Sequence, residues 1–177
     1  MFKKNNLLKS NAIIVLLAVL SPLVVSPFVM AEPEESEPET VTATVTVTNV
    51  SIQVSDGSIE YGTLSANSSA NTLDPVQTQT VTNLGNVPID ILVRGQHSAN
   101  WTLGSEDPGE NVYTHSTCVE NCASDPSWAN MTTTNGTILN NVAASATPTI
   151  DFQIETPVTT TFFNQQSVDV TVMGVEN

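Results

Sequence analysis

The stretch Val81–Val93, VTNLGNVPIDILV, decides the fold of this chain. It predicts the end of one β-strand, a tight turn at Asn83–Asn86 and a second strand with one buried and one exposed face. Because Pro88 has no N–H to donate, we expect the start of the second strand to lie at a sheet edge. The inward-facing residues of that strand are Ile89, Ile91 and Val93, with Asp90 and Arg94 facing out.

Upstream, residues 41–54 are rich in Val and Thr and predict strand throughout. The apolar positions are odd in Val41–Val47 but even in Val50–Val54, and such a slip moves side chains to the opposite face. We therefore expect a bulge or a strand break near Thr48. Asp56–Gly57 then predicts a two-residue hairpin turn that places Val54 opposite Ile59.

The rest of the chain repeats this pattern of short strands and turns. Further strands are predicted at Val76–Leu84, Trp101–Leu103, Ile150–Ile154 and Val168–Val172, whereas 104–136 reads as an irregular loop excursion. No window shows a sustained helical period. The sequence predicts an all-β fold with little or no helix: an antiparallel immunoglobulin-like β-sandwich of about seven to nine strands, formed by residues 41–177.

The N-terminal residues 1–31 have the features of a Sec signal peptide. Lys3, Lys4 and Lys9 precede an apolar run that ends in the cleavage-type sequence Val29–Ala31. An uncleaved membrane anchor is the alternative, because the run is about 20 residues long. Residues 32–40, EPEESEPET, predict an extended acidic Pro/Glu linker. We expect a secreted or cell-surface protein that does not insert into a membrane after cleavage.

The charge of the predicted mature chain limits its partners. All three lysines lie in residues 1–31. The remaining 146 residues therefore contain one arginine, Arg94, and eighteen acidic residues, which gives a net charge of −17. Such a surface repels phosphate backbones and anionic lipid head groups. Nucleic-acid binding is excluded on this ground, and the expected partners are other surface proteins or further copies of the chain.

A longer run around the opening stretch resembles a known family. Residues 59–95, IEYGTLSANSSANTLDPVQTQTVTNLGNVPIDILVRG, are similar to the core of immunoglobulin-like domains of the ASH (abnormal-spindle-like) type and to small secreted sandwich proteins of bacteria and archaea. Tyr61–Gly62 matches the aromatic–glycine pair of that family, and Asn83–Asn86 matches its turn, with N-L-G-N in place of the usual N-T-G-N. The segments 151–157 and 166–172 resemble its last two strands. The resemblance implies a non-enzymatic scaffolding, adhesion or assembly module.

The two cysteines, Cys118 and Cys122, predict an intrachain disulfide in an oxidising compartment. In a strand their Cα atoms would be about 13 Å apart, and a disulfide needs about 4.4–6.8 Å. The bond therefore requires a turn between them. A zinc site that also uses His115 and Asp125 is one alternative, and an intermolecular disulfide is another.

Other candidate ligand residues lie in the same part of the chain. Glu106, Asp107 and Glu110 form an acidic loop that offers oxygen ligands of the kind Ca²⁺ prefers, although it lacks EF-hand spacing. No cofactor is predicted, with Ca²⁺ at this loop as the alternative. Three aromatic side chains could form a sugar-stacking platform, or instead anchor the core. They are Trp101, Tyr113 and Trp128.

No catalytic motif is present, and neither His97 nor His115 lies in a nucleophile signature, so no catalytic residue and no enzymatic activity are predicted. Five N-x-[ST] sequons are candidate glycosylation sites, at Asn49, Asn67, Asn100, Asn130 and Asn135. Three functions fit these patterns: a structural or adhesion module, a surface-filament subunit that donates Val41–Val47 by strand addition, and a carbohydrate-binding module.

Overall fold

A computed structural model describes residues 39–177, in which ten strands and no helix occur. The predicted signal peptide 1–31 and residues 32–38 of the predicted linker lie outside the described residues. The strands are β1 (Ile52–Val54), β2 (Ser69–Asn71), β3 (Gln79–Asn83), β4 (Ile89–Arg94), β5 (Thr102–Leu103), β6 (Val112–Cys118), β7 (Ala129–Asn130), β8 (Gly136–Val142), β9 (Thr149–Glu155) and β10 (Thr171–Glu176).

The strands form two mostly antiparallel sheets, which confirms the predicted β-sandwich. The larger sheet has the order β1-β3-β9-β6-β5, with β2 paired to β9 and β7 paired to β6. The smaller sheet has the order β10-β4-β8. The only parallel pair among the described strands is β5 with β6. The ten strands slightly exceed the seven to nine predicted from sequence, because β2 and β7 are too short and polar to show an alternating pattern.

The core lies between the two sheets and is built from the predicted inward-facing residues. Alternate side chains of β4 are buried, since successive residues of a strand point to opposite faces, whereas β9 buries three successive residues, Ile150, Asp151 and Phe152. Gly174 in β10 allows a close approach, because a Cβ there would lie 2.8 Å from Ile52 and 2.9 Å from Ile89. The buried cluster consists of Val81, Ile89, Ile91, Val93, Met131, Val142, Ile150 and Phe152.

The opening stretch is a corner between the sheets rather than a hairpin within one of them. β3 belongs to the larger sheet and β4 to the smaller one. β4 is also a central strand, with Ile89 opposite Glu176 of β10 and opposite Val142 of β8. The predicted edge position next to Pro88 is therefore wrong. Proline is tolerated there because it precedes the strand and no ladder hydrogen bond is required of it.

The corner is held by the buried side chain of Asn83. Its amide group donates to the carbonyls of Val87 at 2.9 Å and Val142 at 3.1 Å, and its oxygen accepts from the N–H of Gly85 at 2.9 Å. Gly85 itself has no room for a side chain, because a Cβ would lie 2.2 Å from the carbonyl oxygen of Asn49. One amide thus joins β3, the turn and β8.

The prediction that residues 104–136 form an irregular excursion is wrong for the central part of this range. It contains β6, whose residues 113–118 are all buried, and the short strand β7. β6 pairs with β9 over five residues. The sequence YTHSTC shows no apolar–polar alternation, because polar residues occur on both faces of this strand. Neighbouring strands supply the hydrogen-bond partners of these residues: Thr114 donates to Glu155 of β9, and Ser116 donates to Asn130 of β7.

Two predictions about the first third of the chain also need correction. Residues 39–51 form no strand, so the predicted strand begins only at Ile52. The predicted turn is present, with positive φ at Asp56 (57°) and Gly57 (71°), but no strand comes after it. Instead the side chains of Gln77 and Gln79 bond to the backbone of residues 57–60. Similarly, the last strand begins at Thr171, three residues after the predicted Val168.

Candidate functional site

A cleft of about 920 Å³ opens on the inner face of the larger sheet. Its floor includes Phe152 and Ile154 of β9 together with His115 of β6. Its walls are the two non-strand segments 57–66 and 160–170, followed by Val172 of β10. No residue of β4 or β8 lines the cleft, so it lies beyond the area that the smaller sheet covers.

Tyr61 and His115 form a hydrogen-bonded pair in this cleft. The Tyr61 hydroxyl lies 2.8 Å from Nε2 of His115, and the rings meet edge to face at 5.7 Å. The other side of the imidazole contacts the Phe152 ring at 5.8 Å. β6 positions His115 inward because it shares the face of Tyr113. Nδ1 of His115 is buried and has no hydrogen-bond partner among the described residues.

Burial sets the charge states of this pair. It lowers the pKa of His115 to about 4, because an imidazolium in this apolar setting would lose its hydration. It also raises the pKa of Tyr61 well above its usual value, with a smaller contribution from Tyr113. Both groups are therefore neutral at pH 7. The pair can donate and accept hydrogen bonds in this neutral form.

The predicted aromatic platform is only partly present. Trp101 is half-buried and lines the cleft, where its indole N–H donates to Thr160 at 3.1 Å. Tyr113 also lines the cleft, with its ring 6.3 Å from that of Trp101, but only 1% of it is exposed. Burial raises the pKa of Tyr113 to about 12. A side chain this buried cannot stack on a sugar, and Trp128 does not line the cleft.

The predicted acidic loop lies at the surface. Glu106, Asp107 and Glu110 are exposed, and the backbone near them is held by Asn130, whose amide donates to the carbonyls of Ser105 and Glu106. Within residues 39–177, no three His, Cys, Asp or Glu side chains come close enough together to hold a metal ion. Binding of Ca²⁺ by this loop stays an untested prediction.

Cys118 and Cys122 lie at disulfide distance. Their Cα atoms are 5.8 Å apart, Cys118 is the last residue of β6 and a turn comes after it, as the spacing argument requires. Sulfurs paired in this way are not available as zinc ligands. His115 also points to the opposite face of β6 from Cys118, since three residues separate them along a strand. The structure does not bring His115 and the two cysteines together, and the zinc alternative with His115 and Asp125 stays untested.

The sequons differ in exposure. Four of them are exposed and Asn100 is half-buried. The amide of Asn130 is already bonded to two carbonyls and its oxygen accepts from Ser116. A glycan on Asn130 would break these bonds, so the more accessible candidates are Asn49, Asn67 and Asn135.

Residues 41–47, which we call the arm, are the most exposed apolar part of the described chain. Val41 is 91% exposed, Val45 90% and Val47 79%. The arm is attached at its C-terminal end by Asn86, whose side chain accepts from the N–H of Asn49 at 2.7 Å and donates to the carbonyl of Val47 at 2.9 Å. This attachment lies at the corner between β3 and β4.

Sequence reasoning missed the Tyr61–His115 pair and a buried carboxylate on the outer face of β9. Asp151 is 6% exposed and accepts from the hydroxyls of Thr72 and Thr78. No spacing in the sequence joins these residues, because 54 residues separate Tyr61 from His115 and more than 70 separate Asp151 from each threonine. The one indication in the sequence of a buried carboxylate was Asp151, the single acidic residue within Ile150–Ile154.

Comparisons with family models, with curated proteins and with solved structures found no match to this chain. The resemblance to ASH-type domains therefore stays a prediction. None of the described residues belongs to a helix with the length and apolar character needed to cross a membrane.

Proposed function

We propose that this chain is a secreted, non-catalytic structural module of the cell surface that joins further copies of itself by strand addition through the arm. The observation that carries the proposal is the arm itself. It has the strict apolar–polar alternation of a half-buried strand, yet it lies outside both sheets with its valines at least 79% exposed.

Exposed apolar side chains in such a contiguous segment favour an interaction. An extended peptide can add to the edge of a sheet, where backbone hydrogen bonds supply affinity and pockets for alternate side chains supply specificity. Val41, Ala43, Val45 and Val47 would enter such pockets, while the threonines between them would face solvent. Burying one valine is worth about 1.5–3 kcal/mol, so the apolar face of the arm can drive association.

The attachment at Asn86 supports the same role. The side chain of Asn86 bonds to Val47 and Asn49, and its backbone N–H donates to the carbonyl of Asn49, so the C-terminal end of the arm is held at the turn. Fixing the base of an interacting segment reduces the entropy that is lost when it docks. The acidic residues 32–40 keep the free end soluble.

Two substitutions with the same added charge test this proposal. Val45→Asp places a carboxylate on the apolar face of the arm, whereas Thr46→Asp places it one residue further on the polar face. We expect the mature wild-type chain and Thr46→Asp to form polymers with rising concentration in light scattering and negative-stain microscopy. For Val45→Asp, a cost of about 3 kcal/mol raises the required concentration at least about 100-fold.

Deletion of residues 32–48 is the second part of the test, and it should leave monomers with wild-type β-sheet circular dichroism. A wild-type chain that stays monomeric at high concentration contradicts the proposal. So does equal polymerisation of Val45→Asp and Thr46→Asp, because a docked strand has only one buried face.

A further inference from the structure

Resting on the proposed function, we infer that the acceptor for the arm is the cleft beside Tyr61 and His115, and that its occupant is residues 41–47 of a second copy of this chain. The arm then adds a fourth strand to the smaller sheet, beside β10 on the side away from β4.

The two sheets do not match in width. The larger sheet is five strands across, whereas the smaller one has only three. Among the described strands, β10 has a ladder partner on one side only, which is β4. The inner face of β9 and β6 is bordered by the non-strand segments 57–66 and 160–170, which form the walls of the cleft, and Val172 of β10 is the one strand residue of the smaller sheet that lines it. The cleft therefore opens where a further strand of the smaller sheet would lie.

The chain that leads into β10 has the composition needed for pairing. Residues 165–170 line the cleft and form no strand in the described structure. Val168, Val170 and Val172 alternate with polar residues and are half-buried. The sequence therefore has a strand pattern that starts three residues before β10 does. A partner strand along this edge would extend β10 to the length that its sequence predicts.

The charge of the cleft is also compatible with that of the arm. Only two of the cleft-lining residues carry a charged side chain, Glu60 and Asp169, and the arm carries none. Seven extended residues span about 23 Å, and the valine face would meet the apolar residues of a lining in which apolar and polar side chains are mixed. In a chain with so few cations, an uncharged segment is the part that can enter another copy without repulsion. The apolar lining residues that the valines would contact are Val54, Ile59, Phe152, Ile154, Val170 and Val172.

The positions of the arm and the cleft favour a chain of subunits over a closed dimer. The arm leaves the domain next to Asn86, near the start of β1, where Ile52 pairs with Asn83. The cleft begins at Val54, the last residue of β1. Donor and acceptor are thus different surfaces, displaced along β1. Repeated head-to-tail contacts between different surfaces give open filaments unless a rotation closes them into a ring.

Photo-cross-linking of the assembled mature chain tests the acceptor. A photoreactive benzoylphenylalanine replaces Val45, and equal amounts of light and heavy isotope-labelled chains are mixed before assembly. Mass spectrometry should find cross-links between differently labelled copies at residues 57–66 and 165–172. The same probe at Val76, which is 79% exposed but lies outside the arm, should give no cross-links to these segments.

The two tryptophans supply an independent measurement. Trp101 lines the cleft and Trp128 does not. In a Trp128→Phe chain, the remaining Trp101 should shift its emission to shorter wavelength on assembly. In a Trp101→Phe chain, the emission of Trp128 should stay unchanged.

The outcomes separate the two proposals. If polymers form and depend on Val45, but the cross-links map to β8 or to another edge, the acceptor is wrong and the proposed function stands. If the cross-links join residues of the same copy, the arm closes on its own cleft and the intersubunit acceptor is overturned. If no polymers form at all, both the function and the acceptor fail.

Discussion

Replacing Asn83 should destabilise the domain more than any surface change in the same turn. In Asn83→Ala the carbonyls of Val87 and Val142 each lose a donor, and the N–H of Gly85 loses its acceptor. The side chain is fully buried, so water does not readily replace these partners. Each lost hydrogen bond costs about 1 kcal/mol, and a buried polar group left without a partner costs about 1–3 kcal/mol.

The expected total is about 3 kcal/mol of unfolding free energy, which corresponds to a fall in Tm of roughly 10 °C for a domain of this size. Asn83→Asp should cost more than Asn83→Ala, because it keeps the shape but turns a donor into an anion facing two carbonyl oxygens. Urea unfolding with the disulfide intact measures both values from the shift in midpoint at constant slope.

Asn86→Ala is the matched control, since Asn86 lies three residues further in the same turn and is exposed. Its hydrogen bonds to Val47 and Asn49 can be replaced by water, so we expect a loss below about 1 kcal/mol. The reasoning is refuted if Asn83→Asp is as stable as the wild-type chain, or if the Asn83 and Asn86 variants lose the same stability.

Two further predictions concern His115 and the disulfide. The folded pKa of His115, about 4, lies below its unfolded value of 6.5, so only the unfolded chain gains this proton as pH falls between those values. Stability should be full above pH 6.5 and drop by roughly 3 kcal/mol toward pH 4. His115→Gln should flatten this part of the urea-midpoint profile. Replacing both Cys118 and Cys122 by alanine opens a loop of only a few residues, so calorimetry should show a loss of about 2 kcal/mol with the fold retained. Complete unfolding of that variant at 25 °C contradicts this expected loss.

The sequence predicts the class of fold because alternation is local. The alternating spacing of the apolar residues in β4 predicts the burial of Ile89, Ile91 and Val93. The structure confirms all three as core residues. The turn at Asp56–Gly57 was likewise predictable from two residues that tolerate positive φ. The conformation of residues 58–60 was not predictable, because long-range hydrogen bonds from Gln77 and Gln79 decide it.

The candidate site was less predictable for a related reason. β6 is buried although its central residues are Thr, His, Ser and Thr, because neighbouring strands and loops satisfy their polar groups. Periodicity measures apolar faces and cannot detect a strand whose burial depends on such partners. The cleft is lined by segments that are far apart in the sequence, including residues 57–66, 160–170 and strands β6 and β9, so no single segment predicts it.

The charge of the chain limits how copies can meet. With Arg94 as the only cationic lysine or arginine after residue 31, a broad contact between two acidic surfaces cannot be balanced by salt bridges. Strand addition avoids this restriction, because its hydrogen bonds come from the backbone and its side-chain contacts come from valines. The arm combines no charge, alternating valines and full exposure, and the cleft offers an apolar floor beside an unpaired strand edge. Of the ways in which two copies could associate, contact through the arm and the cleft brings the fewest like charges together.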